Sequence, residues 1–128
     1  MEEKNINNKV LVYTAASKHL FYYRMFISKY VIDHDRVPLN PFMIFDYFLA
    51  DLVDKDKVRE GNNAIISRSD EIWVFGPISN GVLVEINLAK QLNKPIKYFK
   101  IIKPHQIVEV KKEEMEFENE FKEYRGTI

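Results

Sequence analysis

Two periods of hydrophobic spacing share this chain. Val10 to Tyr13 is a short β-branched and aromatic run ending in the small residues Thr14-Ala15-Ala16-Ser17, a pattern that predicts a buried strand followed by a loop. From Lys18 to about His34 the period changes, and Leu20, Tyr23, Ile27, Tyr30 and Val31 form one helical stripe. Asp33 to Arg36 breaks that helix. Val37 to Phe42 is too proline-rich for a helix interior and reads as a short extended piece and a turn. Pro41 fits the first turn of the next helix, with Asn40 as its cap. That helix would carry Phe42, Phe45, Leu49, Leu52 and Val53 on one face and fade into Asp54-Lys55-Asp56-Lys57, which reads as a solvated turn. Gly61-Asn62-Asn63 is expected to interrupt a further helical stretch reaching Ser67-Arg68-Ser69-Asp70.

Ile72 to Phe75 is a continuous apolar run between charge and Gly76-Pro77, the mark of a strand covered on both faces. A loop to Asn80 leads into a helix from about Gly81 to Leu92, ended by Asn93-Lys94-Pro95 before a strand from Ile96 to Phe99. Strand, loop, helix, strand is a βαβ unit. The whole order predicts an α/β fold, a small Rossmann- or flavodoxin-like three-layer sandwich with a mainly parallel sheet. In such sheets ligands bind beyond the carboxyl ends of the strands, which singles out Thr14 to Ser17 and Gly76 to Asn80. Ile107 to Val110 is a further strand candidate. A C-terminal helix over about 111–124 would align Phe117, Phe121 and Tyr124 as a packing or dimer face.

Composition narrows the classes. At 128 residues the chain suits one domain spanning 1–128, and 46% hydrophobic with 13% aromatic residues is enough to fold. Nineteen Lys and Arg balance nineteen Asp and Glu, so no global field draws nucleic acid or an anionic membrane. The absence of cysteine removes disulfides, thiolate metal sites and cysteine nucleophiles. His19, His34 and His105 are far apart in sequence, so a His-based metal site is not expected. The polar start shows no signal-peptide core, and no apolar window reaches the ~18 residues of a membrane span. The expectation is a soluble, cytoplasmic protein.

Glu85 carries the most information. At about 100° per residue it points away from Asn87, Lys90, Gln91 and Lys94 and joins Gly81, Leu88, Ala89 and Leu92 on the apolar side. A lone carboxylate there costs several kcal/mol or has a raised pKa, so it needs a partner or a use. An Arg or a tyrosine hydroxyl in the core is the purely structural partner. Its place argues for use: Glu85 lies one turn inside a helix that begins at the ligand edge, after Ser79-Asn80-Gly81. Free amides and the positive dipole end at such a start suit a phosphate, and Ser79 as an ordinary cap is the plainer alternative. Tyr13, at the end of the first strand, can bond and orient a carboxylate, or simply pack.

Several pieces in order, Val12-Tyr13-Thr14-Ala15-Ala16-Ser17, Asn40-Pro41-Phe42, Ser69 to Phe75, and Ser79-Asn80-Gly81 through Glu85 and Ala89 to Lys94-Pro95, resemble the nucleoside 2-deoxyribosyltransferase superfamily. The likeness extends to its 2'-deoxynucleoside 5'-monophosphate N-glycosidase branch and to small phage and bacterial relatives of that fold. It spans about residues 10 to 99 and implies a nucleophilic Glu85, positioned by Tyr13, that attacks the anomeric carbon of a nucleotide as the base departs. Ser79 and Gly81 would hold the 5'-phosphate, and Arg24 or Arg59 would add charge. Ser17, Asn40, Asn62 and Asn80 join the substrate-binding set through the same motifs. Asn62 stands where the family places its second acid and cannot donate a proton as a general acid; Glu60, Asp56 and Asp46 are the nearest substitutes. The resemblance implies a nucleotide N-glycosidase or 2-deoxyribosyltransferase working as a homodimer or higher homo-oligomer on a small-molecule nucleotide, with no metal or redox cofactor. The alternatives are a non-catalytic sensor of a nucleotide or ADP-ribose-like ligand, and an interaction protein using its aromatic tail.

Overall fold

The computed structural model describes residues 9–45, 49 and 52–118. Its sheet has five strands in the order β2-β1-β3-β4-β5: β1 Leu11–Ala16, β2 Val37–Leu39, β3 Glu71–Phe75, β4 Ile96–Lys103 and β5 Gln106–Val110. The first four run parallel and β5 returns antiparallel along β4, as a short connection through Pro104-His105 requires. β3 is the middle strand, and Ile72 to Phe75 are all buried.

Alternate side chains divide the core between the two faces. Val12, Trp73, Phe75 and Phe99 pack with Leu20, Ile27 and Val31 on one side. Tyr13, Ala15, Ile72 and Val74 pack on the other with Ile66, Leu83 and Ile86. The first layer is a 3-10 segment, Lys18–Tyr23, running into α1, Arg24–Asp33. The stripe expected over 18 to 34 is therefore present, but its first turns are wound tighter, with Ser17 accepting from the His19 N–H as cap. The opposite layer holds α3, Lys55–Arg68, and α4, Asn80–Gln91. This is the expected three-layer α/β architecture, and among the described residues no helix is long and apolar enough to cross a membrane.

Four expectations need correction. The helix opened by Asn40 and Pro41 is only α2, Pro41–Ile44, and Leu52 and Val53 are exposed rather than forming a buried face; Asp46 lies outside the described residues. The charged run at 54 to 57 is no loop: Asp54 caps α3 by accepting from the Asp56 N–H, and helix follows at once, because an Asp cap and an acidic first turn suit a helix N-terminus. Gly61-Asn62-Asn63 does not interrupt α3. A Cβ at Gly61 would come within 2.7 Å of Phe45 Cζ, so that glycine makes room for a ring.

The fourth correction is the C-terminal helix. After a 3-10 turn at Lys112–Glu114, residues 115 to 118 run as an extended strap beside Ile78, with Ile78 N–H donating to Glu116 O at 2.8 Å and Glu118 N–H to Ile78 O at 2.9 Å. Met115 and Phe117 are buried in this chain's own core, so Phe117 is not a dimer contact; Phe121 and Tyr124 lie outside the described residues. Alternation of Met115 and Phe117 with Glu116 and Glu118 is a strand period that won over the helical one.

Candidate functional site

A pocket of about 830 Å³ opens beyond the carboxyl ends of β1 and β3. The two strands are neighbours from which the sheet grows in opposite directions, towards β2 and towards β4, so their C-terminal loops diverge and leave a crevice. The β1 loop supplies Ser17, Lys18 and His19, and the start of α4 supplies Ser79, Asn80 and Gly81. Phe42 and Phe45 contribute aromatic surface to the lining, and α3 contributes the polar and cationic side chains Lys55, Arg59 and Asn62.

Tyr13 is fully buried, on the sheet face that meets α4. Its hydroxyl donates to Glu85 Oε2 at 2.5 Å. Glu85 itself lines the pocket. The buried face of α4 is Val82, Leu83, Ile86 and Ala89, whereas Gly81 and Leu92, expected beside Glu85 on the inner stripe, are exposed. Glu85 thus occupies the flank of the apolar stripe, where the helix turns from core to cavity. Burial pushes its carboxyl up to about 7, against the hydrogen bond from Tyr13 and the positive field of Arg59, which both favour the carboxylate. Burial, with the charge and hydrogen bond of Glu85 adding to it, raises the Tyr13 phenol well above its ordinary value, so Tyr13 stays a donor. Near neutrality this carboxyl exchanges easily between acid and carboxylate, which suits proton transfer or nucleophilic attack.

The pocket gathers most of the predicted site. Ser17, Arg59 and Asn62 line it, as do Ser79, Asn80, Gly81 and Glu85, with Tyr13 directly beneath. Ser79 caps α4 by accepting from the Val82 N–H at 3.3 Å. A Cβ on Gly81 would meet nothing nearer than Ser79 Oγ at 4.0 Å, so the fold does not demand glycine there. The open space lies at the start of α4, where the positive end of the helix dipole favours an anion.

Arg24 and Asn40 are not part of the lining. Arg24 lays its guanidinium 4.0 Å over the Phe21 ring and donates to Phe21 O. The buried Asn40 side chain donates to Arg24 O and Ser28 Oγ and accepts from the Phe42 N–H. Both are spent on holding the approach to α2. Asn62 Oδ1 is buried with no hydrogen-bond partner among the described residues. Glu60 and Asp56 are exposed on α3 outside the lining, so neither replaces the acid that Asn62 lacks.

Glu118 was missed by sequence reasoning. Delivered by the strap, it lines the pocket and accepts from Ser17 Oγ at 2.7 Å, with His19 Nδ1 2.8 Å from the same oxygen. No local motif marks it, because its place depends on the pairing of Phe117 with Ile78 across the fold. Among the described residues no group of three or more His, Cys, Asp or Glu is arranged to hold a metal.

Comparison with known proteins adds a family but no activity. A family model described as a domain of unknown function matches residues 13–99, which covers β1 through the first half of β4 and includes Tyr13, Ser79 and Glu85. No curated protein matches the chain.

Proposed function

The chain belongs to the DUF7768 family, and from its pocket we propose that it is a nucleotide N-glycosidase, or the related base-exchanging 2-deoxyribosyltransferase, acting on a (deoxy)nucleoside 5'-monophosphate through Glu85. The observation that carries this reading is the Glu85 carboxyl, hydrogen-bonded by Tyr13 at 2.5 Å and exposed to a nucleotide-sized cavity. The ionised carboxylate attacks C1' of the sugar, the C1'–N bond breaks with its electron pair passing to the base, and a glycosyl ester forms. Water or a second base then attacks C1', giving up its proton to the departed base anion, and releases Glu85 as carboxylate. Ser79, Gly81 and the α4 amides meet the 5'-phosphate at one end. Phe42 and Phe45 offer apolar faces for the base, and Arg59 adds positive charge.

A panel of nucleoside 5'-monophosphates, assayed for free base with wild type and Glu85→Gln side by side, tests this. Release by wild type and its loss in the variant supports the reading; base release that survives in the variant overturns it. Gly81→Ala is expected to keep the fold, because its methyl enters open space and alanine favours a helix by about 1 kcal/mol. It is also expected to weaken nucleotide binding, because that methyl stands where the phosphate approaches.

One observation favours a second reading. Asn62 and Asn63 both line the pocket, and neither can protonate a departing base. A non-catalytic nucleotide or ADP-ribose-like sensor on the same cradle would bind the panel in calorimetry and release no base.

A further inference from the structure

The pocket holds an anion of its own. Glu118 leaves a backbone held where it enters the pocket: its N–H is bonded to Ile78 O, and the preceding Phe117 is buried in the core. Ile78 directly precedes Ser79, the cap of α4, so the carboxylate is delivered beside the helix start. There Oε2 takes the Ser17 hydroxyl at 2.7 Å and lies 2.8 Å from His19 Nδ1, with the side chain only 12% exposed. Against the upward push of burial, the hydrogen bonds from Ser17 and His19 and the charges of His19 and Lys18 hold this carboxyl below its ordinary range. It is a carboxylate at neutral pH.

A carboxylate and a phosphate monoester seek the same donors, hydroxyls and cationic N–H groups. We propose that Glu118 is a built-in competitor at the phosphate end of the pocket: its carboxylate occupies Ser17 and His19 in the ligand-free protein, and a 5'-phosphate binds by displacing it. This rests on reading the pocket as a nucleotide site. Because the strap is tied at Ile78 and anchored by Met115 and Phe117, the displaced side chain swings but does not leave. Its charge stays near the incoming phosphate and opposes it, whereas a sugar hydroxyl in the same place donates to the carboxylate and meets no such penalty. Glu118 is thereby a specificity-determining residue, setting how strongly phosphorylated ligands are preferred over their unphosphorylated counterparts.

Calorimetric titration of the full chain with inorganic phosphate, 2'-deoxyadenosine 5'-monophosphate and 2'-deoxyadenosine tests the proposal in wild type and Glu118→Gln. The glutamine keeps the size of the side chain and an acceptor for Ser17 while removing the charge. Both phosphates are expected to bind the variant about tenfold or more tighter, and the unphosphorylated nucleoside no tighter. Glu118→Asp, which withdraws the carboxylate by one methylene, should show a smaller gain, and Ser17→Ala added to Glu118→Gln should reverse much of it. Thermal unfolding verifies that each variant is folded. Phosphate affinity that is unchanged or weaker in Glu118→Gln, or phosphate that binds neither protein, overturns the proposal; in the first case Glu118 only orients His19 or secures the strap. None of these readouts uses base release, so a protein that shows the affinity gain yet releases no base refutes the glycosidase reading alone. One that releases base without the gain refutes only the competitor.

Discussion

At the scale of the residue, Glu85 sets function against stability. In the unfolded chain its carboxyl ionises near 4.5, and in the fold near 7. Between those values the unfolded state gives up its proton first, so stability falls as pH rises through this window and levels off above it. Glu85→Gln removes the linkage. The variant is expected to match wild type near about pH 4.5 and to exceed it by up to about 3 kcal/mol near pH 8, measured by urea unfolding at both. Activity runs the other way. Attack requires the carboxylate, so kcat/KM for base release should rise through an inflection near 7. Tyr13→Phe deletes a hydrogen bond that favours the carboxylate, and its inflection should lie at higher pH in the same profile.

At the scale of the element, the pocket wall rests on α3 and the one glycine it carries. Gly61→Ala improves helix propensity by about 1 kcal/mol, but its Cβ would press to 2.7 Å from Phe45 Cζ, and the ring must shift. Phe45 lines the pocket. The expected outcome is a thermal midpoint close to wild type together with weaker nucleotide binding, read by paired melting and titration. The glycine looked like a helix breaker because sequence shows which residue lacks a side chain and not what fills the vacated space. The charged start of α3 misled for a related reason. Only Ile66 of this helix is fully buried, so its apolar period is faint and its Asp54 cap was the one legible signal.

At the scale of the whole molecule, the strap closes the fold and furnishes the site together. Met115 and Phe117 complete the core facing α4 while Glu118 enters the pocket. Phe117→Ala is expected to cost about 3–5 kcal/mol, with an unfolding midpoint independent of protein concentration, as suits a residue buried within one chain. An aromatic held between subunits would give a concentration-dependent midpoint.

The sequence by itself determined the parallel α/β layering, the central place of Ile72 to Phe75, the βαβ unit around α4, and the inward turn of Glu85 towards the ligand edge. These follow from period, capping and the handed connectivity of strands, which act over a few residues and leave their mark in local order. Only the tertiary structure decided that Tyr13 reaches Glu85, that Arg24 and Asn40 are spent on packing away from the cavity, and that Glu118 stands opposite Ser17. The Tyr13–Glu85, Asn40–Ser28 and Glu118–Ser17 contacts join side chains far apart in sequence, whose separation is set by how layers stack and how a strap crosses them, and no spacing along one segment encodes that distance.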